Sequence, residues 1–173
     1  MMVGIPGSGK SFFASQFAET FHIPYIDSLQ IEERARDALA ASELIAMTLG
    51  ELVKSGQSII FEGNSDSRAR RTEFARWARN HDYQPMFIWV QADHATSLSR
   101  TLKAKTLTRE QFDAVLRDFS PPHRDEKAVV ISGKHTYATQ AKVILAQFGK
   151  ENRPAQSTLV TPERPTGRTI YVK

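Results

Sequence analysis

Short apolar runs alternate along the chain with stretches whose apolar residues recur at helical spacing. The runs are Met1–Val3, "HIPYID", "QSIIFEGN", "QPMFIWVQA" and "AVVISG". Each has the length and residue types of a buried strand. Between them, "KSFFASQFAETF" puts Phe13, Ala14, Phe17 and Phe21 on one side of a helix. A long helix is expected from about Ile31 to Lys54, with Ala35, Leu39, Leu49 and Leu52 among its apolar positions and Gly56 as its stop. A third runs from about Ser67 to His81. "DHATSLSRTLKAK" opens on an aspartate suited to cap a helix. "TREQFDAVLRDF" carries the capping pattern of Thr108 followed by Gln111, and "YATQAKVILAQF" is the last helix.

Strands that alternate with helices predict an α/β fold of three layers, with a parallel sheet of about five strands covered on both faces. Ligands of such sheets bind beyond the carboxyl ends of the strands. That places interest on the glycine-rich stretch after Val3, and on Asp27, Glu62–Asn64, Gln91–Asp93 and Ser132–Lys134.

The chain has 173 residues, which suits one domain with an ordinary core. Its net charge is +4, of which +3 lies from Gly149 onward, leaving residues 1–148 at +1. We read 1–148 as the domain and 149–173 as a flexible, basic, Pro- and Thr-rich tail. The closing "TIYVK" is either a short edge strand or a frayed end. With no cysteine, disulfides, thiolate zinc sites and cysteine nucleophiles are excluded. His22, His81, His94, His123 and His135 show no metal-ligand spacing. No apolar run is long enough to span a bilayer, and no signal-peptide pattern opens the chain, which suits a cytoplasmic protein. Only three residues precede the first glycine, fewer than the roughly five of a typical buried strand. A missing start to that strand is the expectation.

The chemistry concentrates in "VGIPGSGKS". It fits G-x-x-x-x-G-K-[ST], the phosphate-binding loop of nucleoside triphosphate enzymes. Gly4, Ile5, Pro6, Gly7, Ser8 and Gly9 form the candidate cradle: residues without a Cβ let the chain curl until backbone N–H groups point inward at one polyphosphate, every position but Pro6 having one to offer. The helix that follows adds its positive end. Lys10 is placed to reach the β- and γ-phosphates of a nucleoside triphosphate, and the Ser11 hydroxyl to ligate Mg²⁺.

Other strand ends offer roles with plain alternatives. Asp27 could take the proton of an acceptor hydroxyl or hold Mg²⁺ through water, or it could cap the helix begun by "DSLQ". Glu62 stands where a metal-side carboxylate is expected, or is a surface acid. Arg70 and Arg71, in the first turn of "RARRTEFARWARN", could grip an acidic acceptor or form ordinary ion pairs. Arg100 could fold over the transferred phosphate as an arginine finger, or be an exposed helix residue.

Taken together, "VGIPGSGKS", the acid after the second strand, "IIFEGN", Arg71 before "FARWA", "WVQADHATSLSR" and "FSPPHRDEKAVVISGK" resemble P-loop kinases of the polynucleotide-kinase and zeta-toxin type, a kinase-like branch of AAA-type ATP-binding domains. The resemblance covers roughly residues 1–148. It implies an adenylate-kinase-like fold, ATP with Mg²⁺, and phosphoryl transfer to a hydroxyl of an unassigned acceptor, a nucleic-acid 5′-hydroxyl or a small molecule. It also implies loop chemistry by Lys10 and Ser11, acceptor activation by Asp27, an acceptor-side role for Arg71, a lid role for Arg100, and adenine near Gly133. Two features depart from the pattern. Gln30 stands where the polynucleotide-kinase branch usually has arginine, and the short lid carries Lys103 and Lys105 where further arginines are common. Two readings of other classes stay open: an ATPase or nucleotide switch acting through a partner, and a nucleic-acid binding module using the Arg68–Arg79 helix and the tail.

Overall fold

The computed structural model describes residues 1–151. The strands are β1 (Met2–Val3), β2 (Tyr25–Asp27), β3 (Ile60–Glu62), β4 (Ile88–Gln91) and β5 (Val129–Ser132). The helices are α1 (Lys10–Phe21), α2 (Ser28–Glu32), α3 (Ala38–Lys54), α4 (Arg68–Asn80), α5 (His94–Lys103), α6 (Arg109–Asp118) and α7 (Tyr137–Glu151). All five strands are parallel, in the order β2-β3-β1-β4-β5. This is the expected three-layer P-loop fold. The tail expected from residue 149 shares its first three residues with α7, and 152–173, "TIYVK" included, lies outside the described residues.

One apolar cluster packs each side of the sheet. On one side Phe13, Ala14 and Phe17 of α1 meet Met2, Val90, Ile131 and Ile144. On the other, Val3, Ile26 and Phe61 meet Leu49 of α3 and Ala75 of α4. β1 has only two residues, yet both are wholly buried between β3 and β4. The loop that follows it is therefore anchored in the middle of the sheet.

The helix expected over Ile31–Lys54 is two. Asp27 caps the short α2, and Asp37, in extended conformation, starts α3 by accepting the Ala40 N–H at 2.8 Å. Apolar periodicity runs through the intervening turn unbroken, so only the capping aspartate marks the break. The box at Thr108 and Gln111 forms as expected. A 3-10 turn at Arg124–Glu126 was not foreseen.

That turn bears on Arg71, whose side chain is fully buried. Its Nε and Nη2 donate to the two oxygens of Glu126 at 2.6 and 3.0 Å. Nη1 donates to the carbonyls of Ser65 and Ser120, both at 2.8 Å, and Nη2 also reaches the Pro121 carbonyl at 3.5 Å. All five donors of the guanidinium are used. The expectation that Arg71 grips an acceptor is corrected accordingly: its donors fasten Ser120, Pro121 and Glu126, together with the Ser65 turn, to α4, and a ligand would have to displace them.

Breaking a buried ion pair from one side strands the other charge, at about 3–5 kcal/mol. Arg71→Ala should lose that much in urea unfolding; a loss under about 1 kcal/mol would contradict the anchoring role. Glu126 is held below its ordinary value of 4.5, chiefly by the hydrogen bond from Arg71. A depressed carboxyl stabilises the fold above its unfolded pKa, and that share is lost as pH falls through the folded value. The deficit of Arg71→Ala should therefore narrow below about pH 4.

Candidate functional site

The loop between β1 and α1 is closed in by backbone carbonyls and by side-chain hydroxyls. Gly7 has φ +72°, and a Cβ there would collide with the Ser97 carbonyl and lie 2.6 Å from Thr101 Oγ1. A Cβ on Gly133 would collide with the carbonyl of Ser8, so the turn after β5 lies against the loop. The helices α2 to α6 each begin with a capping side chain: Asp27, Asp37, Ser67, Asp93 and Thr108. α1 begins at Gly9 with no side-chain cap and no acidic residue in its first turn. Its end N–H groups and positive dipole face the loop, which is an arrangement suited to an anion.

A polar group gathers beside this end. The Ser11 hydroxyl donates to Glu62 Oε1 at 2.9 Å. Lys10 Nζ donates to the Ile5 carbonyl at 3.2 Å and lies 3.9 Å from the same Glu62 oxygen. Burial lowers the Lys10 pKa, against the opposing pull of Glu62 and then Asp27. Glu62 and Asp27 are register partners at the ends of β3 and β2. Asp27 accepts the Leu29 N–H at 3.1 Å and Gln30 Nε2 at 3.2 Å, so it does cap α2. The Tyr25 hydroxyl lies 2.8 Å from Glu62 Oε2 and 3.5 Å from Asp27 Oδ2. Burial first, and Glu62 next, push its pKa up, which keeps it a donor. Gly63 leaves room for Ser28, whose Oγ a Cβ would approach to 2.5 Å, and so lets the starts of α2 and the β3 turn close up.

Across the loop, Arg100 Nη1 donates to the Gly133 carbonyl at 3.1 Å and reaches that of Gly7 at 3.5 Å. Asp93 caps α5 and pairs with Lys134, joining the turns after β4 and β5. That hydrogen bond, then the Thr96 N–H, holds its carboxyl well below the usual range. Arg70 is exposed and folds onto Asn64 and Asp66 at 3.2 and 3.0 Å.

Two clefts open here. One of about 570 Å³, beside Asp27, is walled by Tyr25, Gln30, Arg34, Leu44 and Thr48. Another of about 530 Å³ lies past the ends of β4 and β5, between Ile5, Gln91, Lys134 and Phe119. A more enclosed apolar cavity of about 120 Å³ sits at the opposite, amino end of the strands, far from these polar groups.

Lys10, Ser11, Asp27 and Glu62 thus converge on one side of the loop, and Arg100 and Gly133 on the other; Arg71 joins neither. Tyr25 was overlooked. It stands two residues before Asp27 on a strand, and strand alternation gives such residues a shared face.

A sequence model of the family described as "AAA domain" matches residues 1–122. No curated protein matches the sequence. Among solved structures, the chain resembles a gluconokinase from Sinorhizobium meliloti 1021 at TM-score 0.64 and 15% identity, covering 87% of this chain and 90% of that one. It resembles the shikimate kinase of Acinetobacter baumannii in complex with shikimate at TM-score 0.55 and 16% identity, covering 88% and 93%. The shikimate kinase of Aquifex aeolicus vf5 follows at 0.51 and 15%, covering 87% and 95%. At such identities the likeness is one of fold.

Proposed function

Since the chain belongs to the AAA-domain family and carries a kinase-like P-loop fold, we propose that it moves the γ-phosphoryl group of ATP to a hydroxyl of a small acceptor. The observation that carries this reading is the pairing of two carboxylates beside the uncapped start of α1. Glu62 bonds Ser11, on the phosphate side, while Asp27 borders the cleft beside α2.

The residues suit each task. The loop and the start of α1 offer N–H groups to the phosphates. Lys10, released from Ile5 and Glu62, supplies a mobile positive charge. Among the described residues no cluster of three or more acidic or imidazole side chains forms a metal cage. Mg²⁺ is typically held by one or two protein oxygens together with substrate phosphates, and Ser11 and Glu62 are such hard donors. They are the residues that would hold it, and charge neutralisation on the phosphates is what it would supply. Asp27 takes the proton of the acceptor hydroxyl as its oxygen bonds to phosphorus and the bond to the departing ADP breaks. Arg100 then meets the oxygens of the moving group.

The cleft beside Asp27 has the volume of a small-molecule site. Together with Gln30 and the nearly neutral body of the chain, it favours a small acceptor over a polynucleotide, the two acceptors that the resemblance left open. The test is transfer of label from γ-labelled ATP to hydroxy acids, sugars, nucleosides and 5′-hydroxyl oligonucleotides. Hydrolysis as fast without any acceptor as with one would favour the ATPase or switch instead. Asn keeps the cap that Asp27 provides but not its basicity. Asp27→Asn should therefore slow transfer on the order of 10²- to 10⁴-fold with ATP affinity unchanged. Loss of ATP affinity with normal transfer at saturation would remove Asp27 as the base.

A further inference from the structure

We propose that Tyr25 is a positioning residue whose hydroxyl fixes the Glu62 carboxylate for the metal side of the nucleotide. The inference rests on the kinase reading above and deepens it.

Glu62 is held through both oxygens by donors from different elements. Ser11 of α1 bonds Oε1 at 2.9 Å, and Tyr25 of β2 lies 2.8 Å from Oε2. Two donors at opposite ends of a carboxylate fix its plane as well as its position. The phenol has one proton to give. At 2.8 Å against 3.5 Å, that proton goes to Glu62 rather than Asp27. Asp27 does not depend on it, because Leu29 N–H and Gln30 already serve its oxygens.

The hydroxyl is also delivered at a set point. The Tyr25 ring packs against the core cluster of α1, Val90 and Ile131, so its direction is decided by the core. Without the hydroxyl, Oε2 loses this donor, and the Ser11 bond alone holds Glu62, which leaves the plane of its carboxylate unfixed on the metal side. Groups that orient a metal ligand typically contribute 10- to 100-fold to metal affinity.

The experiment uses the full chain with Tyr25→Phe, which keeps the packed ring. Mn²⁺ affinity in the presence of ADP is followed by electron paramagnetic resonance, and ADP affinity in EDTA by calorimetry. The expected result is a 10- to 100-fold weaker Mn²⁺ affinity, with metal-free ADP affinity unchanged. In a Glu62→Gln background the same change should have little further effect, because the group being positioned is already altered. Unaltered Mn²⁺ affinity would overturn the proposal. So would an equal loss with and without metal, or a full loss persisting beside Glu62→Gln. A wild-type chain that binds no nucleotide at all would instead overturn the kinase reading, and this inference with it.

Discussion

Lys10→Ala is expected to abolish tight ATP binding and turnover while the domain stays folded. The side chain begins α1 and ends among polar atoms, at the Ile5 carbonyl and near Glu62. It belongs to neither core cluster. Its removal takes away the cation 3.9 Å from the buried Glu62, but Ser11 and Tyr25 still donate to both carboxylate oxygens, so the domain keeps its fold. What disappears is a cation beside the phosphates. Two unit charges about 4 Å apart near a protein surface interact by about 4 kcal/mol. That corresponds to roughly a thousandfold in affinity. Calorimetric titration with ATP, alongside circular dichroism and thermal unfolding, makes the comparison. A folded variant that binds and turns over ATP normally would take away the central claim about this loop.

The second large effect is expected at Arg100. Its guanidinium rests on the carbonyls of Gly133 and Gly7, at the mouth of the loop, and is otherwise exposed. Backbone carbonyls are weak holders of a guanidinium compared with oxygens that gain charge in a transition state. In the proposed reaction the loop, Lys10 and α1 already serve ground-state ATP. Arg100→Ala should therefore lower kcat by about 10³-fold or more with little change in nucleotide affinity. Lysine should restore only part of it, being a point charge without the planar fork. If Arg100 merely ties α5 to the two turns, alanine would leave kcat at the wild-type value and shift stability by no more than about 0.5 kcal/mol. Single-turnover kinetics at saturating ATP would distinguish these.

The phosphate side of the molecule was legible in the sequence because its requirements are backbone requirements. Gly7 is small for a reason that survives in one letter of code, and the loop spacing picks out Lys10 and Ser11 without further help; Gly133 entered only through the resemblance, as a residue near adenine, and its contact with Ser8 was not foreseen. Strand endings likewise picked out Asp27 and Glu62. Arg71 was misjudged because its partner, Glu126, sits 55 positions away, in a turn that has no periodic signal. The division between α2 and α3 was missed because Asp37 interrupts a stretch whose apolar spacing continues on both sides. Tyr25 was passed over as a strand former; its hydroxyl gains meaning only once β3 is laid beside β2.

The backbone walls of the loop have a consequence for how such a chain can diverge. The carbonyls of Ser97, Val90 and Ser8 close in on the candidate phosphate cradle through atoms that every amino acid shares, and two hydroxyls, Thr101 Oγ1 and Ser8 Oγ, join them. Most neighbouring side chains can therefore drift while the cradle keeps its shape, provided the glycines and those two hydroxyls stay. The cleft beside Asp27 is different, since its walls are the side chains of Gln30, Arg34, Leu44 and Thr48. Each substitution there redraws the wall directly. If the proposed roles hold, the cleft beside Asp27 can change its walls, and with them the acceptor it takes, while the backbone of the loop is left as it is.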